Sequence, residues 1–271
     1  MAESFAPEGA RRYKLWFILA IGDPSFVSGL QKKMLILAID TSGQSGGITL
    51  AEADAGSFHV IESAAIAGGM FSAQLIPTLA ALLKKHGYRA TDLGGFAAAS
   101  GPGSFTGLRV GLSAIKGLAE TLQKPIAIVS VLEALASLSD HAGRIAAAMD
   151  AGRKEVFFGV FEKLAGISEK HSSAKSSQAL LKEREDILSQ QRFLAALVSD
   201  EPVRLMTADA AIAELAASSD CAITVVARPG SAVIARLGAA KLLAGKTVSV
   251  EALDANYLRR SDAEIFFKGN R

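Results

Sequence analysis

Cysteine is nearly missing from this chain: Cys221 is the one thiol in 271 residues. A single thiol cannot close an internal disulfide, so a stapled secreted scaffold is excluded and a reducing, cytoplasmic compartment is expected. Histidine is almost as scarce. His59, His86, His141 and His171 are scattered, and no H-x-x-x-H or H-E-x-x-H pair places two ligands on one helical face, so no metal site is expected. Charge of one sign is also lacking. Lys plus Arg number 29 against 27 for Asp plus Glu, a net +2. That balance speaks against a broad basic face gripping nucleic acid, because phosphate neutralisation needs clustered Lys and Arg. No apolar run reaches the ~20 residues that a membrane-spanning helix requires. What the chain does have is core material: half its residues are hydrophobic and 21% are charged, a composition able to offset the ordering entropy of a globular fold.

The first 33 residues stand apart. Arg11, Arg12 and Lys14 precede a short apolar run at 15–21, an arrangement that resembles a secretory leader in outline. Asp23 and Pro24 follow it without a small-residue cleavage site. The expectation is an N-terminal extension over 1–33, natural or from a mis-assigned start, with the fold beginning at Met34. A cleaved leader is the alternative.

From Met34 onward, short apolar segments alternate with helical patterns. Residues 34–39 read as a strand ending at Asp40, and 47–52 and 59–65 as two more. A helix follows from Ser72, as its cap, to about Lys85, with Pro77 inside it and Gly87 closing it. Residues 95–99 are a small-residue strand that opens into a glycine-rich loop. Residues 108–122 read as a helix and 125–129 as a buried strand. This order implies an α/β fold with a partly parallel sheet. The pattern then recurs: 145–149 is again apolar and again ends in an aspartate, Asp150. A turn at 151–154 and a strand at 156–161 follow. A duplicated architecture of two related lobes is the consequence, the first over 34–138 and the second, smaller one over 139–271. Residues 168–191 are charged and Ser-rich and read as a variable helix or loop. Residues 229–243 read as a helix with Pro229 in its first turn, and a C-terminal helix or tail beyond Asp254 could pack back on the first lobe.

Three groups of residues carry chemistry or contact. Asp40, Thr41 and Ser42 lie where a strand becomes a turn. Hydroxyls and amides there can hold phosphate oxygens, and the aspartate a hydrated magnesium ion; a polar turn bonded to itself is the other reading. Asp150 holds the matching place in the second half, but its turn, Ala151-Gly152-Arg153-Lys154, is bulkier and poorer in hydroxyls. The loop Gly101-Pro102-Gly103-Ser104-Phe105-Thr106-Gly107 precedes a helix and so can meet an anion or pack its backbone closely on the sheet. It is not a Walker A loop, since Leu108 and Arg109 follow Gly107. In the helix after it, Arg109, Ser113, Lys116, Glu120 and Gln123 form one polar stripe. The rest is apolar or small, over more than the ~100° that burial on one sheet uses. The 72–85 helix is similarly apolar. Leu75, Leu79, Leu82, Arg109, Leu112, Ile115 and Leu118 are therefore candidates for contact with a partner protein. No Ser-His-Asp order or carboxylate pair stands out, so no catalytic residue is assigned. Cys221 reads as core.

The stretches M-L-I-L-A-I-D-T-S (34–42), S-A-Q-L-I-P-T-L-A-A-L-L (72–83), G-P-G-S-F-T-G-L-R-V-G (101–111), M-D-A-G-R-K-E-V-F-F-G-V (149–160) and Tyr257-Leu258-Arg259 together resemble the TsaB, or YeaZ-like, family. The resemblance implies an actin-like fold of two lobes, each a mixed sheet flanked by helices. It implies a non-catalytic subunit of the tRNA N6-threonylcarbamoyladenosine machinery. Such a subunit pairs with the TsaD transferase through first-lobe helices and works with the ATPase TsaE and the adenylate-forming TsaC. Contact with tRNA would come only through the complex, and the chain alone could form a homodimer. No cofactor would be required, although weak ATP or ADP with magnesium at the complex interface is compatible with the fold. Many family members carry a histidine before the serine at 72, where this chain has Phe71. Two other readings are an independent ATP-dependent phosphotransferase of the actin-like class, which needs two competent phosphate turns, and a peptidase, an older label for relatives.

Overall fold

The computed structural model of the protein describes residues 33–164, 180–198 and 203–254. The proposed N-terminal extension up to residue 32, Tyr257-Leu258-Arg259 and the C-terminal tail beyond Asp254 lie outside the described residues.

Strands β1 (Met34–Asp40), β2 (Ser45–Ala53) and β3 (Phe58–Ala67) form an antiparallel meander. Helix α1 (Phe71–Lys85) leads to β4 (Gly95–Gly101), which pairs parallel to β1. Helix α2 (Phe105–Leu122) leads to β5 (Ile126–Ser130), parallel to β4. The sheet order is β3-β2-β1-β4-β5. The short helix α3 (Val131–Ala136) then crosses to a second sheet. Its strands are β6 (Gly143–Gly152), β7 (Glu155–Lys163), β8 (Leu180–Ser189), β9 (Arg204–Thr207) and β10 (Ala222–Val225), with α4 (Gln190–Leu197) and α5 (Ala210–Ala216) between them. Its order is β10-β9-β6-β7-β8, with β6/β7 and β7/β8 antiparallel and β6/β9 and β9/β10 parallel. Strand for strand, the two sheets have one topology. This is the two-lobed, actin-like arrangement, each lobe a mixed sheet flanked by helices.

The central strand explains itself. Met34-Leu-Ile-Leu-Ala-Ile is apolar on both faces, and six of the seven β1 residues are buried, as expected for a strand covered by helices on each side. Leu35, Leu37 and Ile39 point toward α1 and α2. Ile36 and Ala38 point the other way, into a core shared by the two sheets. That shared core joins Ala97 and Val129 of the first sheet to Ile145, Met149, Phe161 and Met206 of the second, through α3 and Ile234 of the last helix, α6 (Ser231–Leu243). The far side of the second sheet is a separate cluster built on Phe158 and Phe193, whose rings meet edge-on at 5.7 Å.

Helix α6 follows the second sheet in sequence but packs on β1, β2, β4 and β5 of the first. Gly238 permits the approach: a Cβ there would lie 2.3 Å from that of Ala97. Lys241 reaches from α6 to the Glu133 carboxylate on α3 at 2.6 Å and donates to the Ile128 carbonyl at 2.9 Å. At the other end of the helix, Ser231 Oγ and Thr49 Oγ1 are 2.8 Å apart.

Several boundaries differ from the sequence reading. Helix α1 begins at Phe71 with Met70 as its N-cap and no side-chain cap, so Ser72 is in the first turn and does not cap it. Helix α2 begins at Phe105, capped by Ser104, whose Oγ accepts from Gly107 N–H. The last three residues of the 101–107 loop are thus helical. Pro229 precedes the Gly230 N-cap of α6 and is outside it. The 168–191 segment is, from Leu180, an edge strand; residues 165–179 lie outside the described residues. Among the described residues no helix is long and apolar enough to cross a membrane.

Candidate functional site at the first-strand turn

At the end of β1 the chain turns through Asp40, Thr41 and Ser42, all three buried. Asp40 Oδ1 accepts from Ser42 N–H at 2.9 Å and from Ser42 Oγ at 2.6 Å, the local bonding that lets aspartate start a turn. Thr41 Oγ1 donates to the Gly107 carbonyl at 2.7 Å. Ser104 N–H donates to the Ser42 carbonyl at 2.8 Å. The turn and the glycine-rich loop are therefore one unit, and the glycines make it possible. A Cβ would lie 2.1 Å from the Ser42 carbonyl oxygen at Gly103, 2.1 Å from the Thr41 carbonyl oxygen at Gly107, and 2.3 Å from Thr41 Oγ1 at Gly111. Backbone contacts this close admit no side chain.

Two further residues cover the turn. Phe71, at the first position of α1, is buried with its ring against Gly46, where a Cβ would come within 2.8 Å of the ring and 2.4 Å of the Asp40 carbonyl. Arg228, from the segment between β10 and α6, donates to Ser42 Oγ at 3.1 Å. Its Nε would be 3.1 Å from a Cβ at Gly43. The sequence reading missed Arg228 and Gly43. With 186 positions between Arg228 and Ser42, no local signal could have linked them.

Asp150 repeats the motif in the second sheet: its Oδ1 accepts from Gly152 N–H at 2.9 Å, again two residues on. The surroundings differ. Asp150 is exposed, and its N–H donates to Asp209 Oδ2 at 2.8 Å. Gly152, Arg153 and Lys154 all have positive φ, at 70°, 54° and 60°. The hairpin is tight, and two of its three left-handed residues carry side chains.

An actin-like fold raises the question of nucleotide and magnesium, and with Arg228 in place the first-strand turn has few polar groups to spare for them. Both hydroxyls of the first turn are bonded within the chain itself, the glycine-rich loop lies on the turn's carbonyls, and the second turn carries Arg153 and Lys154, cations that would attract a phosphate but repel a magnesium ion. Among the described residues no group of three His, Cys, Asp or Glu side chains is placed to hold a metal ion.

The candidate partner residues divide into two sets. Leu75, Leu79, Leu82, Leu112 and Ile115 are core, each at most 7% exposed, packed with Leu37, Ile39 and Phe96. This corrects their assignment to a contact surface, since no partner can touch them while the helices stay on the sheet. Leu118 is half-buried, and Arg109 is exposed with its guanidinium 3.9 Å from the centroid of the Phe105 ring. The outward face is built of smaller residues. Ala73, Ile76, Pro77 and Ala80 on α1 and Gly117 on α2 are exposed, with Val110 and Ala114 half-buried beside them. Ile76 is 50% exposed and Met70 44%. The polar stripe of Arg109, Ser113, Lys116, Glu120 and Gln123 runs along the outside of α2. At the far end of α1, Glu62 on β3 bonds Lys85 and His86, each at 2.7 Å, and the Lys85 and His86 bonds lower its pKa below the usual glutamate value. Cys221 is half-buried against the outer cluster of the second sheet.

A family model described as "TsaD: tRNA N6-adenosine threonylcarbamoyltransferase" matches residues 64–196. The tRNA threonylcarbamoyladenosine biosynthesis protein TsaB of Bacillus subtilis is 36% identical over half of this chain and 58% of its own length. That of Escherichia coli is 30% identical over 48% of this chain and 56% of its own. The chain thus matches little more than half the length of these two relatives. The TsaB protein of Haemophilus influenzae is 26% identical over 84% of this chain and 94% of its own length. Among solved structures, YeaZ from Pseudomonas aeruginosa superposes with a TM-score of 0.64 at 24% identity, over 83% of this chain and 99% of that one. The two-lobed fold with its duplicated sheets, together with the sequence shared with three TsaB proteins, makes this chain similar to the TsaB proteins in both sequence and fold.

Proposed function

We propose that the chain is a non-catalytic subunit of a tRNA N6-threonylcarbamoyladenosine-modifying complex, which binds and activates a TsaD-type transferase together with TsaE. The observation that carries the non-catalytic reading is the closed first-strand turn. Thr41 Oγ1 is bonded to Gly107 O and Ser42 Oγ to Asp40, so the groups that would meet a phosphate are already used. The pathway comes from the biosynthetic role that the TsaB relatives carry in their names.

The docking face in this reading is the outward side of α1 and α2, centred on Ile76, Pro77, Ala80, Ala114 and Gly117. Small side chains there let another helix pair approach closely, and the polar stripe on α2 supplies a hydrogen-bonding rim. The occupant is the transferase. Its family model also matches this chain across both helices, so two similar lobes can meet through like faces, as in a pseudo-symmetric dimer. Contact with tRNA runs through the complex, and a bound nucleotide at the joint interface is compatible with this reading but not needed for it.

The test mixes the purified chain with a TsaD-type transferase and follows size by light scattering, with ATP turnover of the isolated chain measured alongside. A one-to-one complex and no magnesium-dependent turnover are expected. Turnover by the isolated chain would instead support an independent phosphotransferase.

A further inference from the structure

We propose that Arg228 is a built-in cation for the Asp40 turn, supplying through Ser42 the positive charge that a bound divalent metal ion would otherwise bring to the carboxylate. The inference deepens the non-catalytic reading of the same turn and rests on it.

A chain of two hydrogen bonds runs from the guanidinium to the carboxylate. Arg228 Nη2 donates to Ser42 Oγ at 3.1 Å, and Ser42 Oγ donates to Asp40 Oδ1 at 2.6 Å. Asp40 is 4% exposed and Ser42 1%. A carboxylate this far from water needs a compensating charge or hydrogen bonds to its charged form. Two bonds come from Ser42 itself, and Arg228 polarises the shorter of them. Such relays strengthen when the end donor is charged. Arg228 forms no other side-chain hydrogen bond or ion pair among the described residues, so the contact is its principal tie. Gly43 is shaped to it, since a Cβ there would meet both Nε and Cδ of the arginine.

The origin of the arginine matters as much as its contact. Arg228 belongs to the segment returning from the second sheet to α6, and Val226 N–H, two residues earlier, is fixed to the Thr207 carbonyl at 2.9 Å. The arginine thus closes the turn of one lobe from a segment anchored in the other.

The experiment is thermal unfolding of the full chain and of Arg228→Ala and Arg228→Lys, each with and without millimolar magnesium chloride and with sodium chloride at matched ionic strength. The parent is expected to melt at the same temperature with and without magnesium. Arg228→Ala is expected to melt about 2–4 °C lower and to recover part of that loss in magnesium only, while Arg228→Lys stays near the parent. The proposal is overturned if Arg228→Ala melts with the parent, if magnesium leaves its deficit unchanged, or if magnesium raises the parent as much as the variant. These outcomes concern the isolated chain, so a failure to bind the transferase, which would sink the proposed function, is read separately.

Discussion

At the single-residue scale, the decisive features are glycines that admit no Cβ and an aspartate bonded to its own turn. Gly103 and Gly107 each face a carbonyl oxygen of the Asp40 turn at 2.1 Å from an added Cβ. Backbone cannot swing aside as a side-chain tip can, so Gly107→Ala should separate loop from turn and destabilise the chain by about 1–3 kcal/mol. Chemical denaturation measures this, and an unchanged midpoint would show the two segments to be only loosely joined. Lys154 offers the opposite sign. Its φ of 60° costs a residue with a side chain roughly 1–2 kcal/mol, so Lys154→Gly should stabilise the hairpin in the same assay. Glu62 gives a pH prediction. Lys85 and His86 hold its pKa below 4.5, so its contribution is present above that value and is lost as pH falls through the lowered one. Carboxyl NMR titration should show the Glu62 pKa moving up toward 4.5 in Lys85→Ala. The Asp40 turn was legible in sequence as a polar turn after a strand. Its bonds to Gly107 and Arg228 span 66 and 186 positions, contacts that local patterns do not encode.

At the scale of elements, burial decides which part of α1 and α2 can meet another protein. Leu79 is 5% exposed and Ile76 50%, three residues earlier and about 60° round the helix, outside the buried face. Leu79→Glu should therefore bury an unpaired carboxylate, cost about 4 kcal/mol or more, and melt the first lobe. Ile76→Glu should leave the circular dichroism spectrum and melting temperature close to those of the parent. If Leu79→Glu stays folded, the assignment of that face to the core fails. Helix α6 depends on close approach in the same way. Gly238→Val should push it off Ala97 and lower stability by about 1–3 kcal/mol. The elements legible in the sequence were strands β1 to β7 and helices α1, α2 and α6, where apolar runs or helical periodicity stand out. Strand β8 was hidden because Lys182, Glu183, Arg184 and Asp186 line an edge of the sheet, where charge guards against unwanted pairing. Strands β9 and β10 have four residues each, too few for an alternation to register. Helix α3 was lost inside the apolar run from β5. Its signal was present nonetheless, in Ser130 followed three residues on by Glu133, with Ser130 Oγ accepting from Leu132 N–H at 3.2 Å.

At the scale of the whole molecule, duplication is the organising fact. Two five-stranded sheets share one strand order and place an aspartate turn at the end of each first strand, and both aspartates accept the N–H two residues on. The duplicated pattern was readable because each half opens with an apolar strand, an aspartate and a turn. How the halves are joined was not readable. It relies on α3, on α6 crossing back, and on a core of alanines and branched residues drawn from both sheets. On the proposed function, the first of the paired turns is structural, sealed by glycines and an arginine, while the outer helices of the first lobe serve an assembly. Complex formation with a TsaD-type transferase tests this most directly, measured by isothermal titration for the parent chain and for Ile76→Glu combined with Ala80→Glu. The parent should bind stoichiometrically, and the folded double variant should bind roughly a hundredfold more weakly, the loss of two central contacts at an interface. Equal affinity for the two would mean that the outer face of α1 is not where the transferase sits.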